Sequence, residues 1–226
     1  MGLSRHGDEC RWPWDPETMQ QLTDDVYRLQ KTTQANGYLV QLGDRSIVID
    51  TGTASGAEGL IAELREAHQL QRISDIVLTH YDPDHAGSAA ALQRETGAPV
   101  WIGRLDADIL RGATPPTSTR RLMARLGRAD VPADLRELPV DAETEIAPGL
   151  VAVPAPGHTP GHLMLTYRGV AFVGDAVLIR KGRLRQMPGL LISDKQDARE
   201  TQRLIEALNP RLVCPGHGAP DRLAAV

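Results

Sequence analysis

Residues 80–85 read His-Tyr-Asp-Pro-Asp-His, and this short stretch decides how the rest of the chain is interpreted. It offers two imidazoles and two carboxylates within six positions, directly after the apolar run 73–78, which predicts a buried strand. Pro83 has no backbone N–H to donate and stiffens the stretch, so the residues suit a loop better than a strand interior. Imidazole nitrogen and carboxylate oxygen are good ligands for zinc, iron, manganese or cobalt. The sequence therefore predicts a metal site on a loop at the end of a strand.

Further loops along the chain carry the same residue types. Residues 156–162 read Pro-Gly-His-Thr-Pro-Gly-His, residues 215–218 read Pro-Gly-His-Gly, and Asp175 follows the apolar run 170–173. Together with the first stretch, these loops hold five of the seven histidines: His80, His85, His158, His162 and His217. Because the donors are spread over most of the chain, a single local zinc finger is excluded. Polar side chains at strand ends are typical of a functional site on a rigid scaffold.

Composition excludes several function classes. The 226 residues carry a net charge of −4, with 25 basic residues scattered among 29 acidic ones, so no nucleic-acid partner is expected. No stretch approaches the roughly 18 apolar residues that would span a membrane, and the first residues lack the apolar segment of a secretion signal. Cys10 and Cys214 stand far apart with no C-x-x-C spacing. These features predict a cytoplasmic protein without a disulfide framework.

The hydrophobic pattern predicts one domain over residues 1–226, beginning with an irregular segment over 1–21 that contains Trp12 and Trp14. Short β-branched runs predict strands at 26–30, 37–42, 46–49, 73–78, 100–103, 135–140, 150–154, 163–167, 170–173 and 211–214. Helical spacing predicts helices at 57–68, 86–95, 106–111 and 196–208, and an amphipathic helix with a basic face around 120–128. Strands at the start of each half with helices after them favour an α+β layered sandwich.

The order of these motifs resembles the metallo-β-lactamase-fold hydrolase superfamily. That superfamily carries H-x-H-x-D-H, a distant histidine, a bridging aspartate and a last histidine, and residues 80–85, 157–162, 174–175 and 215–218 resemble this series in order and rough spacing. Asp50-Thr51-Gly52 resembles its early D-T-G turn. Four ordered motifs make a specific signal. The resemblance covers residues 26–218 and implies a four-layer αββα sandwich with a dinuclear site at one edge of the paired sheets.

Carried over position by position, the resemblance implies two divalent metal ions. The ligands it implies are His80, Asp82 and His158 for the first ion, Asp84, His85 and His217 for the second, and Asp175 as the bridge. A hydroxide held between the metals would be the nucleophile. Asp84 would orient this hydroxide and pass a proton to the leaving group, which makes it the expected catalytic residue. His162 and Asp50 are expected to support the ligands.

Asp82 stands where the family usually has histidine. An aspartate is shorter and anionic, so it favours harder ions; zinc is the first expectation, with iron or manganese as alternatives. The family's flavodiiron members carry a carboxylate at this place, as Glu, and reduce oxygen or nitric oxide, but no flavodoxin-like module is present here. Hydrolysis is therefore the main prediction. A di-iron redox protein and a non-catalytic metal-binding protein stay open as alternatives.

The expected substrate is a small molecule with an ester, lactone or thioester bond, on the analogy of the family's thioesterase and lactonase branches. Substrate specificity is expected in the loops at 112–134 and 180–195. The basic run at 180–185 is open to two interpretations, either solvated loop charges or a patch that attracts an anionic substrate. No membrane partner is expected, and the oligomeric state stays open, with a homodimer as one option.

Overall fold

The computed structural model describes residues 19–116 and 129–224, and its first half forms a seven-stranded sheet. The strands lie side by side in sequence order: β1 (Met19–Gln21), β2 (Val26–Leu29), β3 (Tyr38–Leu42), β4 (Arg45–Ile49), β5 (Ile73–Val77), β6 (Val100–Gly103) and β7 (Leu135–Leu138). Neighbours from β1 to β4 are antiparallel, whereas those from β4 to β7 are parallel. Since β4 and β5 are parallel, the loops that follow them leave the sheet at the same edge.

The second half forms a five-stranded sheet in the order β14-β11-β10-β9-β8. Its strands are β8 (Thr144–Ala147), β9 (Leu150–Pro154), β10 (Leu163–Tyr167), β11 (Val170–Gly174) and β14 (Leu212–Pro215). A separate hairpin consists of β12 (Leu178–Arg180) and β13 (Arg183–Arg185). Because β11 and β14 are parallel, the residues that follow them, Asp175 and His217, leave the sheet at the same edge.

Among the described residues, helices cover the outer faces of the two sheets: α1 (Ala57–Glu66), α3 (Ala89–Thr96), α4 (Arg104–Leu110) and α5 (Lys195–Leu208). The short helix α2 (Pro83–Ala86) carries Asp84 and His85, so the prediction of a loop over all of 80–85 is wrong there, because proline is well tolerated in the first turn of a helix. The long helix α5 begins at Asp194, whose side chain accepts hydrogen bonds from the backbone N–H groups of Gln196 and Asp197. It ends at Asn209, which adopts a left-handed conformation with φ 44°.

Three buried apolar cores separate four layers. In β4, Val48 packs against α1 and α3 in the outer core, while Ile47 and Ile49 point the other way into the core between the sheets. This alternation follows from the two-residue period of a strand. The third core lies on the far face of the second sheet, where Ile205 of α5 packs on Val213. The arrangement is the predicted αββα sandwich, which is confirmed.

The structure differs from the sequence-based elements in short segments. Residues 19–21 form β1, so the prediction that the irregular amino-terminal segment reaches residue 21 is wrong there. Strands β8, β12 and β13 were not predicted, because three or four residues show too little of the two-residue period. Residues 1–18, with Cys10, Trp12 and Trp14, and the basic helix predicted around 120–128 lie outside the described residues. Within the described ranges, no helix is long and apolar enough to cross a bilayer.

Candidate metal centre

Backbone hydrogen bonds tie the histidine-bearing loops together at one edge of the sandwich. Leu163 N–H donates to Thr79 O at 2.8 Å, which joins the loop after β5 to the second sheet. Asn36 N–H donates to Gly216 O at 2.8 Å, and its side-chain amide donates to Pro215 O at 2.8 Å. The loop that carries His217 is therefore held against the start of β3. These hydrogen bonds thus bring loops that are far apart in the sequence to the same edge of the sandwich.

The first group of ligand candidates is buried. Imidazole Nε2 of His158 lies 3.2 Å from Asp82 Oδ2 and 3.5 Å from Asp175 Oδ2. His80 Nε2 lies 3.5 Å from the same Asp82 oxygen. The structure therefore places Asp82 together with His80 and His158, where the resemblance put it.

The second group lies on the solvent side of the first. Its members are Asp84, His85 and His217, with His217 Nε2 at 3.3 Å from Asp84 Oδ2 and 3.3 Å from Asp175 Oδ2. His85 Nε2 lies 3.4 Å from Asp175 Oδ1. Asp175 thus directs one carboxylate oxygen at His85 and the other at His158 and His217. All seven predicted ligands are brought together, and Asp175 lies between the two groups.

The donor atoms fit divalent metal ions. His80 Nε2, His85 Nε2 and Asp175 Oδ1 are fully buried, and among the described residues they have no hydrogen bond, only ion-pair contacts of 3.4–3.9 Å within the cluster. Buried polar atoms without partners are unfavourable unless a ligand satisfies them. The cluster offers nitrogen and oxygen atoms alone, which suits zinc, iron or manganese. Two ligand triads, one of His80, His158 and Asp175 and one of Asp84, His85 and His217, meet the spacing of a metal site.

Asp50 connects one histidine of each group. Its Oδ2 accepts hydrogen bonds from His85 Nδ1 at 2.8 Å and from the Thr79 hydroxyl at 2.7 Å. The same hydroxyl lies 3.0 Å from His80 Nδ1, and since its proton goes to Asp50, it accepts the His80 Nδ1 proton. Both rings therefore have Nδ1 engaged in a hydrogen bond and direct Nε2 toward the cluster. Asp50 adopts a left-handed conformation, φ 57°.

Asp106 is a buried acid that the sequence analysis missed. One of its oxygens accepts hydrogen bonds from the Thr159 hydroxyl at 2.6 Å and Tyr81 N–H at 3.2 Å, and the other accepts from Gly161 N–H at 2.7 Å. Burial raises its pKa to about 6, against the hydrogen bonds that stabilise the anion. Asp106 therefore holds the loop of His80 to the loop of His158. Its position in the first turn of a predicted helix is ordinary for an acid, so no local signal marks it.

The charges of the second group stabilise one another. Hydrogen bonds to Asp175 and Asp84 raise the pKa of His217 to about 10. Burial opposes ionisation of Asp175, but the nearby His85 and the hydrogen bond to His217 outweigh it and hold its pKa well below the usual range. Protons and metal ions therefore compete for the same nitrogen atoms.

The remaining candidates lie around this centre. His162 Nε2 accepts the backbone N–H of Asp175 at 3.2 Å, and its ring stacks on His80 with centroids 5.0 Å apart. Gly216 packs so closely that a Cβ there would lie 2.3 Å from Asp175 Oδ1. Tyr81 packs in the outer core. Cys214 is fully buried, and burial raises the pKa of its thiol, so it is an unreactive core residue.

Comparisons with known proteins identify the family. Residues 31–217 match the metallo-beta-lactamase superfamily, and the chain belongs to it. It is 28% identical over 218 residues to the probable metallo-hydrolase YflN of Bacillus subtilis (strain 168), which covers 82% of this chain and 81% of that protein. The predicted enzyme class, a metal-dependent hydrolase of this superfamily, is confirmed.

Two further similarities involve a relative with a named activity and a solved structure with bound metal. The chain is 28% identical over 152 residues to a hydroxyacylglutathione hydrolase of Shewanella baltica (strain OS223), which covers 67% of this chain but only 46% of that relative. A solved structure, TTHA1623 in a di-iron-bound form, superposes with a TM-score of 0.67 at 28% identity and covers 84% of this chain and 90% of that one.

Proposed function

We propose that this protein is a dinuclear metallohydrolase that opens an ester, lactone or thioester bond of a small molecule. The observation that carries the proposal is the position of Asp175. Its two oxygens lie 3.3–3.5 Å from histidine nitrogens of both groups, so one carboxylate belongs to both. A carboxylate placed between two ligand groups can bridge two neighbouring metal ions.

Seven residues would hold the two ions: His80, Asp82 and His158 on one side, Asp84, His85 and His217 on the other, and Asp175 between them. When bound, the ions would polarise a substrate carbonyl and supply a bridging hydroxide as the nucleophile near neutral pH. We propose zinc for both positions, with iron or manganese as alternatives because Asp82 adds an anionic oxygen to the first group.

Asp84 is the proposed proton carrier. Burial opposes its ionisation, but the hydrogen bond to His217 and the nearby His85 hold its pKa below the usual range, so it is a carboxylate at neutral pH. Its Oδ2 lies 3.3 Å from His217 Nε2, at the more open side of the centre. A carboxylate there can accept a proton from the nucleophile and deliver it to the leaving alkoxide or thiolate.

The curated relatives support hydrolysis. YflN is named a probable metallo-hydrolase and the Shewanella baltica relative is named a hydrolase of hydroxyacylglutathione. Hydrolysis of an acyl bond is therefore the reaction that we propose for this chain.

A second candidate function is di-iron redox chemistry. Two observations favour it: Asp82 makes the first group richer in oxygen, and TTHA1623, a structural neighbour, is described in a di-iron-bound form. Iron binds more favourably to oxygen-rich sites than to nitrogen-rich sites.

Metal analysis combined with activity separates the two functions. The protein is expressed without added metal, its metals are quantified, and hydrolysis of 4-nitrophenyl acetate, an acyl thioester and a lactone is measured after chelation and reloading with zinc, manganese or iron. We expect two equivalents of metal and hydrolysis that disappears on chelation and returns with zinc or manganese. Two equivalents of iron, a visible absorption band and oxygen consumption without hydrolysis would establish the redox function instead.

A further inference from the structure

The hairpin beside the metal centre places its basic side chains together on one face. Its register pairs Leu178 with Arg185, Ile179 with Leu184 and Arg180 with Arg183. Cross-strand partners share a face of a hairpin, and adjacent residues point to opposite faces. Ile179 and Leu184 pack into the core on the far side of the second sheet. The other face therefore presents three arginines, with Leu178 opposite Arg185.

This basic face works against the stability of the hairpin. Arg180 and Arg183 are direct cross-strand partners, and like charges in that position repel each other. Lys181 forms the turn with φ 51°, a left-handed conformation that a lysine rarely adopts. Among the described residues, Arg65, Arg111, Arg136 and Arg168 form ion pairs with carboxylates, and none of these four belongs to the hairpin. Glu206 and Asp221 line hollows together with Arg183 and Arg180, so the positive charge of the hairpin is compensated only in part. Locally unfavourable features that persist are typical of functional sites.

A groove of about 480 Å³ connects this hairpin to the metal centre. It is lined by His217 at one end and by Arg180 and Lys181 at the other. Asp221 also lines the groove, but its Oδ2 accepts the N–H of Gly182 at 2.9 Å and its Oδ1 accepts the N–H of Arg222 at 2.8 Å. This carboxylate is already engaged by the backbone. It anchors the hairpin turn, and its single negative charge offsets only part of the positive charge of Arg180 and Lys181 in the groove.

A second hollow, of about 250 Å³, continues the basic surface. It is lined by Arg180, Lys181, Arg183 and Arg185. Guanidinium groups bind carboxylates and phosphates through paired N–H donors. The two hollows share Arg180 and Lys181, so a ligand that extends from His217 along the groove reaches the basic face.

We propose that the substrate carries an oxyanion group, a carboxylate or a phosphate, which binds Arg180 and Arg183 while the bond to be hydrolysed lies beside His217. This inference rests on the proposed hydrolase function and names the class of its substrate. It also selects one interpretation of the basic run at 180–185, because Arg180 and Lys181 line a groove that leads to His217.

Matched substrates test the proposal on the metal-loaded protein. 4-Nitrophenyl hexanoate and mono-4-nitrophenyl adipate have the same leaving group and chain length, and only the second ends in a carboxylate; the 4-nitrophenyl ester of 6-phosphonohexanoate ends in a phosphonate. We expect kcat/KM to be higher for the anionic esters. The anionic ester with the larger increase in kcat/KM over the neutral ester shows whether the groove prefers a carboxylate or a phosphonate. Raising the ionic strength should reduce that preference, because salt screens exposed charges.

Charge-removing variants locate the effect. Arg180→Gln and Arg183→Gln should each lower the anionic-to-neutral ratio of kcat/KM by up to about fivefold, the size of an exposed charge pair. The matched control is Arg94→Gln, which removes an exposed arginine from α3 on the opposite outer layer. A ratio that is near one in the wild type, or that both hairpin variants leave equal to that of the control, would overturn the anion groove while the hydrolase function stands.

A binding measurement keeps the inference testable if no ester is hydrolysed. Adipate is titrated calorimetrically into the metal-loaded wild type and into the Arg180→Gln/Arg183→Gln double variant. Weaker binding to the double variant would support the groove even though the proposed hydrolysis had failed. Equal binding to both proteins would overturn the groove.

Discussion

The two groups of ligand candidates differ most in how far water reaches them. In the first group, the side chains of His80, His158 and Asp82 are 0%, 2% and 11% exposed. In the second, the side chains of Asp84 and His217 are 27% and 33% exposed, and only that of His85 is fully buried. Polar groups in a dry environment are held more rigidly and interact more strongly. In the proposed function, this difference would let the first group hold its metal ion away from water, while the open side of the second group receives substrate and exchanges protons.

The largest expected effect is the loss of proton transfer on the open side. Asp84→Asn keeps the size of the side chain but removes the proton acceptor, so kcat should fall by about 10²–10⁴-fold. Asp82→Asn is the matched change on the buried side and should lower kcat less, since that carboxylate is turned toward His80 and His158. Both are measured with 4-nitrophenyl acetate at saturating zinc. Equal losses in the two variants would contradict the division of roles.

The next effect concerns the support shared by the two groups. Asp50→Asn weakens the bond to His85 and the bond through Thr79 to His80, so both metal affinities should fall by about 10–100-fold. Asparagine also tolerates the left-handed conformation at this position. Thr79→Val removes only the hydroxyl beside His80 and should weaken one of the two sites. Competition with a chromogenic chelator resolves the two binding steps. An equal loss at both sites in Thr79→Val would show that this hydroxyl does not act on His80 alone.

A smaller effect is expected at Asp106, which supports the buried group through the backbone. Asp106→Asn leaves at least one of the three donors without an acceptor, so the free energy of unfolding should fall by about 1–3 kcal/mol. Urea unfolding of the metal-free protein measures this change. The control is Asp108→Asn on the same helix, which is expected to be close to neutral. If the Asp106 variant is as stable as the control, Asp106 does not join the two loops as proposed.

The last prediction concerns metal preference and not the rate of reaction. Asp82→His replaces an anionic oxygen by an imidazole nitrogen, which should increase the preference of the first group for zinc over iron and manganese. Metal analysis after loading from an equimolar mixture measures the preference. A metal ratio unchanged from the wild type would show that Asp82 does not bind a metal directly.

Much of this architecture was predictable because its signals are local. Each buried strand is a β-branched run, and a loop with clustered histidine or aspartate follows β5, β11 and β14. The ordered motifs then placed seven side chains in one centre, and the structure brings them together. Their role as metal ligands stays a prediction, which the experiments above address.

The parts that were missed depend on contacts distant in sequence. Asp106 gains its role from Thr159 and Gly161, more than fifty residues away, and its own neighbours in the sequence show nothing unusual. The hairpin β12–β13 has strands of three residues, too short for a periodic signal. Its basic residues were visible in the sequence, but the groove that joins them to His217 exists only in the folded chain.

Cys214 offers a way to observe motion at the centre. It is fully buried in β14, three residues before His217, and its thiol stays protonated because burial raises its pKa. A thiol reagent can therefore reach it only when β14 separates from its neighbours. In a Cys10→Ser chain, the labelling rate of this natural reporter would measure how often the strand that carries His217 opens, and how strongly bound metal suppresses that opening.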